Sequence, residues 1–339
     1  MTWLRNTWYQ AGWSADVVDI TPLVRTILDE PILFYRSGDG SLAALLDRCP
    51  HRFAPLSAGC IRDEIIRCAY HGLAFGTDGQ CVDNPHGAIT SAMRVKSYPV
   101  AERHSAIWIW MGDAEKADPA LIANLSFIDE TPESARIYDY MPTAAGYELL
   151  VDNIMDLSHA DFLHPSSIGG IMVGARSKSR EDGDKIVAEW LALDCDPPPA
   201  FRPSVAPATR ADIWTEVIWS APALMVLGTA AMPAGKARTP DDGSYTLHNM
   251  TPESDTKTHY FICSTRRFLV DDADFSAMLR SALLHAFGNE DKPILELQQS
   301  RIGSSSFWEL NPILLPIDAA AIRVRRMLAK LIDREETGV

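Results

Sequence analysis

A chain of 339 residues, 47% apolar and 22% charged, has room for two domains with sizeable cores and the composition of a globular protein. Its net charge of −14, unrelieved by any basic stripe, argues against nucleic acid as a partner and suits an ordinary solvated surface. The opening stretch has no basic region leading into an apolar run, and no apolar run nears the roughly 18 residues of a membrane span. The expectation is a cytoplasmic protein with no membrane partner, whose six cysteines stay reduced and favour metal over disulfides.

In chain order, residues 25–47 read as a hairpin. Arg25–Leu28 and Ile32–Tyr35 are strand-like, Ser37–Gly40 supplies a turn and Leu42–Leu46 returns. Two boxes follow, Cys49-Pro50-His51-Arg52 and Cys68-Ala69-Tyr70-His71-Gly72, separated by a segment that holds the strand-like Glu64–Arg67. Leu73–Phe75, a Thr77-Asp78-Gly79 turn and Gln80–Val82 make a second hairpin, and Ile107–Trp110 closes an all-β region near Gly112. Structural zinc sites usually pair cysteine with cysteine and histidine with histidine. Here each loop presents one thiolate and one imidazole. That arrangement suits a two-iron, two-sulfide cluster with Cys49 and Cys68 on one iron and His51 and His71 on the other. Cys60 and Cys81 stand in no pattern and read as half-buried small hydrophobes.

Residues 113–140 are polar and turn-rich, like a link between domains. Met141–Leu150 leads into Val151–Pro165, where Asp152, Asp156 and His159 share one face of a helix by spacing. His164 would point away from His159 on a regular helix. Pro165 pushes it out of the helical region, so a frayed or bulged end swings it back. Two imidazoles and a carboxylate from elsewhere form the facial triad that holds non-haem ferrous iron with open positions. Ile186–Leu193, Ile213–Ser220, Ala223–Met232, Ser244–Met250 and Thr258–Ser264 read as strands of an antiparallel sheet. Asp194–Pro207 and the Gly169-Gly170 turn read as mobile loops of the lid or oligomer-contact kind. Asp274–Phe287 is helical, with Phe275, Met278, Leu279, Ala282, Leu283 and Ala286 on one face. Spacing leaves Glu290, Asp291 and Glu296 open as the third iron ligand, and Pro293 puts Asp291 at or just before a helix start. A last helix begins at Asp318, with Ile322, Met327, Leu328, Leu331 and Ile332 inward and Arg323, Arg325, Arg326 and Lys330 as a solvated face.

These residues carry a family resemblance. The two boxes, Asp152-Asn153, Asp156 through His164, the opening Arg5–Tyr9 and the run Asn289–Lys292 are similar to the oxygenase components of Rieske non-haem iron oxygenases. The likeness extends over nearly the full length and is greatest to the short members of the vanillate and dicamba demethylase type. Where respiratory Rieske proteins add a cysteine to each box, this chain has Phe53 and Ala54, and Ala69 and Tyr70. The resemblance is therefore to the low-potential type, near the bottom of a range that starts at about −150 mV.

The resemblance implies an α+β architecture. An N-terminal all-β Rieske domain would span 1–117, and a catalytic domain over 118–339 would be an antiparallel sheet flanked by helices, helix-grip-like. It implies His159, His164 and Asp291 as ligands of a mononuclear Fe(II), with Asn153 beside the iron. It implies that Asp156 links His71 of one subunit to His159 of the next in a homotrimer, and that His248 touches substrate. Electrons would come from NADH through a reductase or ferredoxin, and with O2 the enzyme would O-demethylate a methoxylated aromatic compound and release formaldehyde. A ring cis-dihydroxylase shares the same motifs, and a plain Rieske electron carrier would account for residues 25–112 alone. For an aromatic carboxylate, the candidate cations are Arg176, Lys178, Arg210 and Arg301.

Overall fold

A computed structural model describes residues 3–18, 21–62, 64–239 and 242–338. The chain divides into two compact units, Trp3–Asn124 and Leu125–Val339. The first is all-β. Strands β1 (Trp8–Trp13), β2 (Leu23–Ile27), β3 (Glu30–Arg36), β4 (Leu42–Leu46), β5 (Cys60–Arg62), β6 (Ile65–Arg67), β7 (Ala74–Phe75), β8 (Cys81–Asp83), β9 (Val100–Arg103) and β10 (Ala106–Trp110) form three small antiparallel sheets. Their orders are β1-β10-β9, β2-β3-β4 and β5-β6-β7-β8. Large aromatic residues hold the first together: Trp8 lies opposite Trp110, rings 5.5 Å apart and edge to face. The boxes occupy the β4–β5 and β6–β7 connections, over a core that includes Leu33, Tyr35, Leu45, Leu56, Ile66 and Phe75. Cys81 is buried, whereas Cys60 lies exposed on β5 rather than half-buried.

The second unit carries α1 (Ser126–Glu130), β11 (Arg136–Thr143), α2 (Tyr147–Met155), α3 (Ala160–Leu163), β12 (Arg176–Asp182), β13 (Lys185–Cys195), β14 (Ala211–Ser220), β15 (Leu224–Pro233), β16 (Gly243–Ser254) and β17 (Lys257–Thr265). Helices α4 (Ala273–Leu283), α5 (Lys292–Ile302) and α6 (Ala319–Thr337) follow. The seven strands make one antiparallel sheet in the order β11-β17-β16-β15-β14-β13-β12, the expected α+β arrangement. Both edge strands depart from the sequence reading. β11 takes in residues assigned to a linker, and β12 has no apolar residue to announce it. Its charges suit an edge: Lys178 and Arg180 pair with Glu189 of β13 at 2.9 and 2.6 Å and discourage further pairing. Helix α2 packs on β14 and β16 and against α5 and α6, so whatever α2 carries is held on the buried side of the sheet.

The helix expected over 274–287 is present with its apolar face largely unburied, and one reading of α6 needs correction. None of the residues of α4 is buried, and the apolar Met278, Leu284, Ile294 and Leu297 stay exposed along residues 273–302. Arg325 of α6, one of the four cations expected on a solvated face, is buried. Its guanidinium reaches Asp152 at 2.6 Å and Glu148 at 2.9 Å, both on α2. The remaining inward face of α6 includes Ile322, Val324 and Leu328. Among the described residues no helix is long and apolar enough to cross a membrane.

Two candidate metal centres

The boxes fold into matched loops. Cys49 N donates to Ala54 O at 2.9 Å and Phe53 N to Cys49 O at 2.9 Å; Cys68 N donates to Leu73 O at 2.9 Å and Gly72 N to Cys68 O at 3.1 Å. The fifth residue of each loop turns left-handed, Phe53 at φ 61° and Gly72 at φ 77°. Glycine adopts that conformation freely; phenylalanine does so only where the surrounding hydrogen bonds enforce it. The loops bring His51 and His71 together, ring centroids 4.5 Å apart, with Cys49 and Cys68 buried beneath. Burial pushes the Cys49 thiol up, and a bound cation would favour its thiolate. Two buried sulfurs under two accessible imidazoles match the donor set of a two-iron, two-sulfide cluster. A cleft of about 630 Å³ beside the imidazoles is lined by His51, His71, His86 and Met93.

The second centre assembles around a helix break. α2 ends where Asp156 turns extended (φ −131°, ψ 102°), a short 3₁₀ turn spans Leu157–His159, and α3 follows to His164. Asp152, Asp156 and His159 therefore do not share one helix face as their spacing suggested; Asp152 faces Arg325. The break, together with the exit at His164 before Pro165, lets the two histidines converge with ring centroids 5.4 Å apart. Each ring is fixed through Nδ1: His159 donates to the main-chain oxygen of Asp156 at 2.5 Å, and His164 to Glu290 Oε2 at 2.7 Å. Both Nε2 atoms then approach Asp291 Oδ1, at 3.5 and 3.2 Å. One donor atom from each of His159, His164 and Asp291 lies within 4.8 Å of the others. Asn153 Nδ2 donates to the same Oδ1 at 3.1 Å. Asp291 is 3% exposed, and among the described residues its Oδ2 has no hydrogen-bond partner. A buried carboxylate oxygen left bare is costly, and a divalent cation between the two imidazoles would satisfy it.

The other expected residues fall as follows. The Asp156 carboxylate caps Ser158, accepting from its N at 2.9 Å and its Oγ at 3.0 Å; within the chain it is the backbone oxygen that holds His159. Asp291 stands just before the start of α5, as Pro293 implied, but the chain is already helical there. The residue closes a π-helical segment, Leu284–Asp291, that joins α4 to α5 without interruption, and Pro293 falls in the first turn of α5. Glu296 instead accepts from Ala144 N at 2.9 Å. The Gly169-Gly170 turn is pinned: the Asp161 carboxylate accepts from the backbone N–H groups of residues 170–173 at 2.6–3.0 Å. His248, on β16, is fully buried. Its Nδ1 is hydrogen-bonded to Tyr260 Oη at 2.6 Å, its ring lies 5.1 Å from that of Phe287, and its Nε2 has no partner among the described residues. Burial lowers its pKa to about 3, which keeps it neutral. The four candidate cations are all exposed, with Lys178 and Arg210 committed to Glu189 and Asp194. Sequence reasoning missed Tyr260, Asp161 and the Arg325 pairing; the partners of Arg325 lie 173 and 177 residues away along the chain.

The Rieske [2Fe-2S] domain family matches residues 7–99, and the vanillate O-demethylase oxygenase C-terminal domain family matches residues 143–334, more than half of the chain. The chain belongs to the vanillate O-demethylase oxygenase family. As a Rieske oxygenase component it is 37% identical to the oxygenase component of dicamba O-demethylase from Stenotrophomonas maltophilia, covering 99% of both chains. It is 34% identical to the vanillate O-demethylase oxygenase subunit of Pseudomonas sp. strain HR199, over 98% of this chain and 96% of that one. Dicamba monooxygenase bound to 3,6-dichlorosalicylic acid superimposes with a TM-score of 0.92 at 36% identity over 99% of each chain. The same enzyme with non-haem iron and dicamba gives 0.84 at 35% identity over the whole of each chain.

Proposed function

We propose that this Rieske oxygenase is the terminal component of a multicomponent monooxygenase that O-demethylates a methoxylated, vanillate-like aromatic compound. The observation that carries the reading is the presence of two separate donor sets in one chain, in a family whose relatives here are O-demethylase oxygenase components. Cys49, His51, Cys68 and His71 would hold the [2Fe–2S] cluster, and His159, His164 and Asp291 a ferrous iron. When bound, the cluster relays single electrons, and the iron supplies the oxygen chemistry that turns a methoxy group into a hemiacetal, which collapses to a phenol and formaldehyde. NADH would feed those electrons through a reductase or ferredoxin, which makes the cytoplasm the expected compartment.

The protein's own residues orient and exclude. Asn153 holds the Asp291 carboxylate toward the histidines. His248 offers substrate one neutral hydrogen-bonding nitrogen, so an anionic substituent would be held without a cation. The recess lined by Asn153, Tyr260, Phe287 and Asp291 measures about 10 Å³, space for about one water. An aromatic ring would not fit this recess without displacing Phe287 or its neighbours. Exposed Phe53 and Tyr70 beside the cluster histidines, and Phe162 on α3, are apolar surface that a homotrimer would cover. In that trimer the Asp156 carboxylate, with two of its roughly four acceptor sites used, would receive His71 of the partner subunit.

The test is a panel of methoxybenzoates, arene sulfonates and unsubstituted arenes turned over with NADH and reductase, with formaldehyde and diols measured together. Formaldehyde from a methoxybenzoate without diol is expected; diol without formaldehyde would replace demethylation with ring dihydroxylation.

A further inference from the structure

Glu290 is not among the residues that meet at the metal position, yet it is bound to one that does. Its Oε2 lies 2.7 Å from His164 Nδ1, while Asp291 Oδ1 lies 3.2 Å from Nε2 of the same ring. Two consecutive carboxylates thus grip the two nitrogens of one imidazole that is 1% exposed. On the far side, Glu290 Oε1 lies 3.5 Å from Nε2 of the half-exposed His285. Residues five apart sit roughly 140° apart around an α-helix of 3.6 residues per turn. The wider π turn, closed by i→i+5 bonds, stacks them. His285 and Glu290 both lie in the π-helical segment Leu284–Asp291, so its register sets the direction in which Glu290 points.

We propose that Glu290 is a positioning residue. By accepting the Nδ1 proton of His164 it fixes the tautomer whose Nε2 lone pair faces the metal, and the π-helical register is what lets it do so beside Asp291. This rests on the reading of His159, His164 and Asp291 as a metal site. Carboxylate partners of this kind typically govern metal affinity by about 10–100-fold.

The experiment follows loss of the mononuclear iron from the purified holoenzyme to a ferrous chelator, with the visible spectrum of the Rieske cluster and the melting temperature recorded in parallel. Glu290→Ala is expected to weaken iron retention about 10–100-fold with the cluster spectrum unchanged. Glu290→Gln keeps an acceptor oxygen for Nδ1 and is expected to stay within a few-fold of wild type. Iron retention in Glu290→Ala equal to wild type would overturn the assignment. So would equal losses in the Ala and Gln variants, because charge or packing would then outweigh the hydrogen bond. A wild-type enzyme holding no mononuclear iron at all would instead remove the metal-site reading itself.

Discussion

His248 lies in a row across the sheet between Met225 of β15 and Ile262 of β17, deep enough that protonation is opposed by burial alone. Its folded pKa, about 3, is below the unfolded value near 6.5. The unfolded chain therefore binds the extra proton first, and stability present above pH 6.5 is lost as pH falls from there toward 3. The slope is about 1.4 kcal/mol per pH unit for one proton. Urea unfolding of the wild type and His248→Asn at pH 7, 6 and 5 should show the wild type losing more per unit; parallel curves would contradict a buried neutral imidazole. Arg325 is the opposite case. Burial disfavours its charge, but Asp152 and Glu148 outweigh that and hold the guanidinium protonated. Removing it as Arg325→Met strands two carboxylates and should cost about 3–5 kcal/mol by urea denaturation. Arg325→Lys should recover only part, since an ammonium cannot form the bidentate pair. A loss below about 1 kcal/mol, the scale of a surface pair, would mean the network is solvated.

At the scale of elements, the loop after His164 is set by a glycine. A Cβ on Gly169 would stand 2.4 Å from Ala160 O and 2.9 Å from His164 O. Gly169→Ala must therefore push away the turn that carries the histidine. The expected result is lost mononuclear iron and a destabilisation of about 1–3 kcal/mol, the usual cost of overpacking, with the cluster absorbance retained; full iron content would show that the turn adapts. How much of this was legible follows from where the information sits. The cluster boxes could be read because the chemistry dictates residue type and both loops are short. The core strands β13–β17 could be read from apolar patterning, which β12 lacks and β11 mixes with polar positions. The helix break at Asp156 could not, because it is a backbone choice tied to that residue's own bonds to Ser158 and His159, and the π register at Leu284–Asp291 could not, because Glu290 meets His164, 126 residues away. Arg325 looked like one more surface cation because its partners on α2 are just as distant in sequence.

At the scale of the whole molecule, labour is divided between the two units. One all-β unit buries two cysteines under two histidines, and one sheet-and-helix unit gathers two imidazoles and a carboxylate on its buried side. Phe53 and Tyr70, next to the cluster histidines in sequence, and Phe162 on α3 stay exposed. The direct measurement is the iron and acid-labile sulfide content of purified protein, for the wild type and for the double variant His159→Ala/His164→Ala. About three irons and two sulfides per wild-type chain are expected, with the loss of one iron and sulfide unchanged in the variant. Absence of labile sulfide, or an iron content that the double replacement leaves untouched, would contradict that division.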